Sequence, residues 1–425
     1  MSTLRERLRL PETILGFPVE MPAESTSNPS SRVRRVRERG IALLMAVMII
    51  GLMMIFASDM IVTSSVELAM AVRNRDNVKA EFIAKSAANL ATFTLAADLA
   101  KDLFLAGPQS PMPSKPGEAS VKFWDSLNAL PPIGGQSKEA LAVVAEGLGL
   151  SSVLDSGVLD QMQLFEGDMK INVADERARI NVNYCSSGAR EPCTVVKLML
   201  NALLSCPAER LFLEKRKVTP EQLAARIQDY VDSDSRADPD SGFNDENDPY
   251  QRRANQMRAK NAPLDTLDEL RVVDGWDDDV HAVFSRYLTA YPFWRKREER
   301  PRINLTSSSR EMLQCIFPEA RGEGAEKLAL ALRARDADGE PIFQPGQKMS
   351  DILRGLVGYS TGSGQPNDPN DKATWFSKWS NVCRVSTEST VGGSTKRLEM
   401  VVERVMPEPA KGQTSSHRIL YYKML

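Results

Sequence analysis

The sequence predicts an α+β protein: a long N-terminal helix plus an antiparallel sheet, interrupted by a large, mostly α-helical insertion domain. Residues 41–58 carry no charge, and residues 59–105 continue without Pro or Gly. Apolar and polar residues alternate near the end, over 382–389, 396–405 and 417–422. Helical patterns fill most of the chain between an early strand pair and this late trio.

The first element is the apolar run IALLMAVMIIGLMMIFAS, residues 41–58. As a helix it spans about 27 Å, close to the hydrocarbon thickness of a bilayer. Arg32, Arg34, Arg35, Arg37 and Arg39 precede it, opposed by Glu38. That flank holds the N-terminal side in the cytoplasm, so the chain beyond residue 58 is expected to be exported and the protein to cross its membrane once. The run is long for a secretory signal, and no clear A-x-A site follows it. Leu68, Val72, Phe82, Ile83, Leu90, Phe93 and Leu103 then recur at roughly helical spacing. Phe82, Ile83, Leu90 and Phe93 are expected to bury against the chain's own globular head. Pro108, Pro111, Pro113 and Pro116 end the helix in a loop over 107–120.

Strands are expected over 162–173 and 178–184, with a charged turn at Asp175–Arg177. Helices follow over 194–215 and 219–231, the second opened by Thr219-Pro220. An acidic loop covers 232–250, and two short helices flank Gly275 within 264–290. Arg302-Ile303-Asn304 echoes Arg179-Ile180-Asn181, with a helix from Arg310. Helices over 324–335 and 348–357 and a Gly/Asn/Pro loop over 358–373 precede the hairpin around Gly392-Gly393 and a last strand.

At 425 residues the chain has room for two or three domains, and its net charge of −2 gives no general pull toward nucleic acid. His281 and His417 are the two histidines, little material for imidazole or zinc chemistry. None of Cys185, Cys193, Cys206, Cys315 and Cys383 forms a C-x-x-C pair. Cys185, Cys193 and Cys206 are close enough for one disulfide in an oxidising compartment, or they are buried thiols. An odd count leaves at least one thiol unpaired.

Arg37 to Leu44, R-E-R-G-I-A-L-L, resembles the processing site of type IV pilin-like proteins. The resemblance implies cleavage by a prepilin peptidase between Gly40 and Ile41, methylation of the new terminus, and helices packed side by side in a filament core. Most such proteins carry Glu at the fifth mature position; here it is Met45. A buried carboxylate needs a partner, and a subunit at a filament tip has none above it, so Met45 fits a tip position. The leader is long, and Met21 offers a second start.

Further motifs narrow the resemblance to the general secretion pathway protein K family, the large minor pseudopilins of type II secretion. Arg179-Ile180-Asn181-Val182-Asn183 is similar to its I-N-[LV]-N, and Ile303-Asn304-Leu305-Thr306 to the second copy. Gln228 to Asp234, QDYVDSD, resembles its aspartate-rich D-x-x-D-x-D, and Leu267 to Tyr287 its S-x-x-E-L-x-x-V-x-G segment. RLEMVVERV and RILYYKML resemble its closing strands. This implies a type IV pilin-like fold: leader 1–40, helix 41–106, head 107–190 and 376–425, and helical insertion 191–375. It also implies a tip complex with other minor pseudopilins, contact with the major pseudopilin, and export across the outer membrane. Two alternatives are a minor pilin of a type IV pilus and a membrane-tethered DNA-uptake receptor.

Three constellations could carry chemistry. Eight acids lie between Asp229 and Asp248, opposed within that stretch by Arg236. Such density repels unless a counter-ion enters, and carboxylates with Asn oxygens suit a hard cation. The spacing is not an EF-hand. The family resemblance implies calcium, with Asp232, Asp234, Asp245, Glu246 and Asp248 as candidate ligands; the alternative is a solvated acidic loop. Val272 to Trp276 resembles a helix-hairpin-helix turn, but Asp277, Asp278 and Asp279 would repel phosphate, so a packing role and no nucleic acid are expected. Gly358-Tyr359-Ser360-Thr361-Gly362 matches G-x-S-x-G, with Asp368, Asp371 and His417 in hydrolase order. The motif needs a helix directly after it, which Ser363-Gly364-Gln365-Pro366 cannot start, so no enzyme and no catalytic residue are expected.

Overall fold

The computed structural model describes residues 29–105, 128, 133–134, 167–188, 190–252, 256–292, 300–318, 348–359, 368–377, 380–405 and 417–425. Most of the leader, the loop at 107–120, the start of the strand expected at 162–173, and the helix expected at 324–335 lie outside them. The chain forms two compact units, Met1–Val72 and Arg73–Leu425.

Helix α1 runs over Pro29–Leu105. In the first unit its apolar residues from Ile41 to Val62 are exposed, Met45 among them, and the helix is long and apolar enough to cross a membrane. Gly40 and Ile41 lie within this helix.

In the second unit, β1 (Ile133–Gly134), β2 (Asp168–Asp175), β7 (Val382–Val391), β8 (Ser394–Arg404) and β9 (His417–Met424) form an antiparallel sheet in the order β1-β2-β7-β8-β9. The register runs from Asp168 opposite Thr390 to Asp175 opposite Cys383. The alternation that predicted β7 and β8 follows from one buried face, since side chains switch sides at each residue. Gly392 makes the tight turn with φ +56°, and a Cβ there would come within 2.6 Å of Asp76 Oδ2.

The C-terminal part of α1 packs on this sheet through small residues. Ala84, Ala87, Ala88, Ala91 and Leu95 meet Ile171, Val173, Val385, Leu398, Met400 and Val402. The backbones approach closely enough for Thr387 Oγ1 to donate to Ala84 O at 3.0 Å and Ser389 Oγ to Ala80 O at 2.6 Å. This corrects one expectation: Ile83 is buried and Leu90 half-buried, but Phe82 and Phe93 are exposed at 64% and 52%. An alanine stripe faces the sheet because aromatic rings would hold the helix too far off for those two bonds.

Between β2 and β7 the chain holds two similar units. In the first, β3 (Ile180–Asn181) enters a 3-10 turn at Val182–Ser187, and β4 (Leu288–Thr289) later returns parallel to it. In the second, β5 (Ile303–Asn304) enters a 3-10 turn at Leu305–Ser307, and β6 (Phe376–Ser377) returns parallel. The strand expected at 178–184 therefore shrinks to two residues. Asn181 Oδ1 accepts from Asn183 N at 2.9 Å and turns the chain, a competition with ladder bonding that Asn side chains favour.

Between β3 and β4 lie α2 (Arg190–Leu204), α3 (Pro207–Glu214), α4 (Pro220–Val231), α5 (Asp248–Gln251) and α6 (Asp278–Phe284). The single helix expected at 194–215 is broken because Cys206 precedes Pro207 and takes an extended ψ of 139°. One of the two helices expected around Gly275 is instead the 3-10 turn Leu267–Val272. Helices α7 (Arg310–Ile316) and α8 (Met349–Val357) belong to the second unit. One core joins Ile180, Leu200, Trp276, Phe317, Trp375 and Val401. Disulfides Cys185–Cys193 and Cys206–Cys315 cross it, while Cys383 is buried in the sheet.

Candidate metal centre and insertion anchor

Helix α4 delivers the first acids. Thr219 Oγ1 accepts from Gln222 N and Gln222 Oε1 accepts from Thr219 N, fixing its start. Its Leu223, Ala224, Ile227 and Tyr230 side is buried, which carries Asp229 and Asp232 inward at its end. The loop then folds on its own carboxylates. Asp234 Oδ1 accepts from Arg236 N, Asp238 Oδ1 from Asp240 N, and Asp245 Oδ1 from Asn247 N.

Ligand oxygens of Asp232, Asp234 and Glu246 lie within 4.8 Å of one another. Asn261, at a left-handed φ of +48°, reaches in from the far side. Its Nδ2 donates to Asp234 O and to Glu246 Oε1, both at 2.6 Å. Asp232 Oδ1, Glu246 Oε2 and Asn261 Oδ1 are buried with no hydrogen-bond donor among the described residues. Buried oxygens in that condition carry a desolvation cost of about 1–3 kcal/mol each. Burial and the neighbouring carboxylates push Asp232 up to about 7, and burial chiefly pushes Asp229 to about 7 and raises Glu246. The three-residue group leaves out two expected ligands. Asp245 caps a turn and Asp248 opens α5, whereas Asn261, fifteen residues beyond Glu246, enters. Nothing in the spacing marks Asn261; only the fold brings it in.

A second polar cluster anchors the insertion to the sheet. Glu176 is fully buried; its Oε1 accepts from Thr289 Oγ1 at 2.6 Å and from Arg384 Nη2 at 2.7 Å, and its Oε2 from Arg384 Nε at 2.9 Å. Burial alone would raise Glu176, but Arg384, with Arg179 beyond it, holds it below the usual carboxylate range. Asp175 accepts from Arg177 N, Ser380 Oγ and Asn304 Nδ2. Asn183 bonds both Leu264 N and O and also Ala290 O. Two members of this cluster, Asn183 and Asn304, belong to the two I-N motifs; Glu176, Thr289 and Arg384 belong to neither.

The hairpin turn is a packing element. Gly275 has φ +87°, and a Cβ there would meet Val218 and Arg226 at 3.2 Å. Trp276 is buried, Asp277 Oδ1 accepts from Val280 N to cap α6, and Arg216 pairs with Asp277 and Asp279. Of the hydrolase-like residues, Ser360 lies outside the described residues. Asp371 Oδ1 caps the 3-10 turn Lys372–Trp375 by accepting from Ala373 N, Asp368 Oδ1 accepts from Asn370 N, and His417 begins β9.

Comparison with known proteins places this segment. Residues 178–293 match the family described as type II secretion system (T2SS), protein K. Among solved structures, a chain of the GspK-GspI-GspJ complex from the enterotoxigenic Escherichia coli type 2 secretion system aligns at 17% identity with a TM-score of 0.49. The alignment covers 84% of this chain and 99% of that one. No curated protein matches.

Proposed function

We infer that this chain, which carries the protein K domain of the type II secretion system over residues 178–293, is a minor pseudopilin of that system. The carrying observation is this domain joined to one N-terminal helix long and apolar enough to span the inner membrane. Prepilin peptidase cuts between Gly40 and Ile41 and leaves the helix in the product. Processed helices associate laterally in the membrane, and the periplasmic heads assemble with other minor pseudopilins. Met45 in place of an acid suits a subunit with nothing above it. The large insertion between β3 and β6 would block subunits from stacking beyond it, which supports a tip position that starts or caps the pseudopilus. The role is assembly and not catalysis.

The acidic loop supports a structural calcium ion. Asp232, Asp234, Glu246 and Asn261 would hold it: their carboxylate and amide oxygens are hard donors that match calcium's preference, and Asp232, Glu246 and Asn261 each keep a buried oxygen without a donor among the described residues. When bound, the ion neutralises the carboxylates and ties the end of α4 to the segment around Asn261.

Affinity capture of the full chain from detergent-solubilised membranes tests the assembly reading. Type II pseudopilins should co-purify. Recovery of type IV pilins in their place, or salt-sensitive retention of DNA, would contradict it.

A further inference from the structure

The two edges of the five-stranded sheet are finished differently. At β2 the chain closes its own edge. β1 pairs with Asp168 and Met169. Farther along, the Asn128 amide stands in for a strand: its Nδ2 donates to Val173 O at 2.7 Å, and its Oδ1 accepts from Val173 N at 2.6 Å. At β9 no strand among the described residues pairs with the outer side. Arg397 and Leu425 exchange N–H···O bonds in both directions, at 3.1 and 2.7 Å. Bonded and non-bonded pairs alternate along an antiparallel ladder. The backbone N–H and C=O of Tyr421 and Lys423 therefore face β8, and those of Tyr422 and Met424 face outward. A register shift between Val401 and Val402 ends the regular ladder, which leaves 421–425 as the straight open stretch. Tyr422 is 47% exposed and near enough to Lys85 on α1 to act on it electrostatically. Lys85 Nζ in turn stands 5.7 Å from the ring of the exposed Phe82. Residues 417–425 include Arg418 and Lys423 but no acid. Arg418 pairs with Glu403, whereas exposed Lys423 has no ion pair among the described residues.

We propose that the 421–425 stretch of β9 accepts an acid-bearing β-strand from another minor pseudopilin, which extends the sheet past its open edge. This rests on the assembly reading above. An unpaired row of backbone donors and acceptors fixes the occupant as extended chain, with main-chain bonds for affinity and side chains for selection. Lys423 makes the selection. A carboxylate opposite it is favoured, whereas a second copy of β9 would bring another Arg418 and Lys423 and no acid, and like charges across a strand pair repel. The band from Tyr422 over the Lys85 stem to Phe82 continues the edge onto α1, the helix through which a partner subunit would associate.

Residue-resolved hydrogen exchange tests this on the detergent-solubilised full chain, alone and captured with co-expressed type II pseudopilins. Alone, the amides of Tyr422 and Met424 should exchange fast and those of Tyr421 and Lys423 slowly. In the complex the first pair should slow by about 100-fold or more. Unchanged exchange at Tyr422 and Met424 in the complex would overturn the proposal and leave the assembly reading standing. Capture of no pseudopilin would overturn both. Slow exchange of the first pair in the chain alone would give the edge to a segment of this chain or to a second copy, and would also overturn the proposal. Tyr422→Pro removes one outward N–H, a change that an edge strand tolerates. It should keep the wild-type melting temperature and weaken capture about tenfold or more, while Tyr422→Phe captures as wild type does. If Tyr422→Pro does not fold, Lys423→Glu decides: it should weaken capture, and capture at the wild-type level would overturn the acid-bearing partner.

Discussion

Glu176 and Arg384 show how a single residue commits the insertion to the sheet. Removing one partner of a buried ion pair leaves the other uncompensated, at a cost of about 3–5 kcal/mol. Arg384→Ala should therefore lower unfolding free energy by that much in urea titration, because Glu176 has no exposed surface. A loss below about 1 kcal/mol would mean that water reaches the carboxylate. At the acidic loop the sign of the pH dependence is set by burial. Asp229 and Asp232 are pushed up to about 7 in the folded chain, above the ordinary unfolded value of about 4. The folded state thus binds protons more readily, and their contribution to stability is lost as pH rises from about 4 through about 7. In EDTA the melting temperature should fall between about pH 5 and pH 8, and saturating calcium should remove most of that fall. Equal slopes with and without calcium would contradict the ion's role.

Among the elements, α1 makes the sharpest distinction. Its alanine side is packed and its Phe82 and Phe93 side is open. Ala87→Leu should overpack the sheet at about 1–3 kcal/mol, whereas Phe82→Ser should change monomer stability by about 0.5 kcal/mol or less; the reverse order in denaturant titrations would place the wrong side on the sheet. The disulfides differ by loop length. Chain entropy assigns about 5 kcal/mol to Cys206–Cys315, with 109 residues of separation, and about 2.5 kcal/mol to Cys185–Cys193, with 8. Cys206→Ala/Cys315→Ala should therefore destabilise more than Cys185→Ala/Cys193→Ala. The elements that could be read from the sequence were those whose signal is local: the β7–β8 hairpin around two glycines, the Thr219 cap, and the apolar run of α1. Elements decided by distant partners could not. Asn181 and Asn183 end a strand because Leu264 and Ala290 wait for the amide of Asn183. Cys315 pairs across the insertion, and Asn261 joins carboxylates far from it in sequence, neither with a spacing rule to announce it. The alanine stripe was hidden because large apolar residues at helical spacing outweigh small ones in any hydrophobic count, although close helix–sheet contact selects the small ones.

The chain carries one helix long and apolar enough to cross a membrane, and its second unit holds a pair of helical units inserted beside the sheet. The proposed assembly role depends on that helix remaining attached after processing, because without it no lateral association would hold the rest of the chain in a filament. N-terminal sequencing with intact-mass measurement of the protein purified from membranes tests this most directly. The expected polypeptide starts at N-methylated Ile41 and keeps the apolar residues of 41–58. A mature chain that starts downstream of them, or one that retains Arg39 and Gly40, would contradict it.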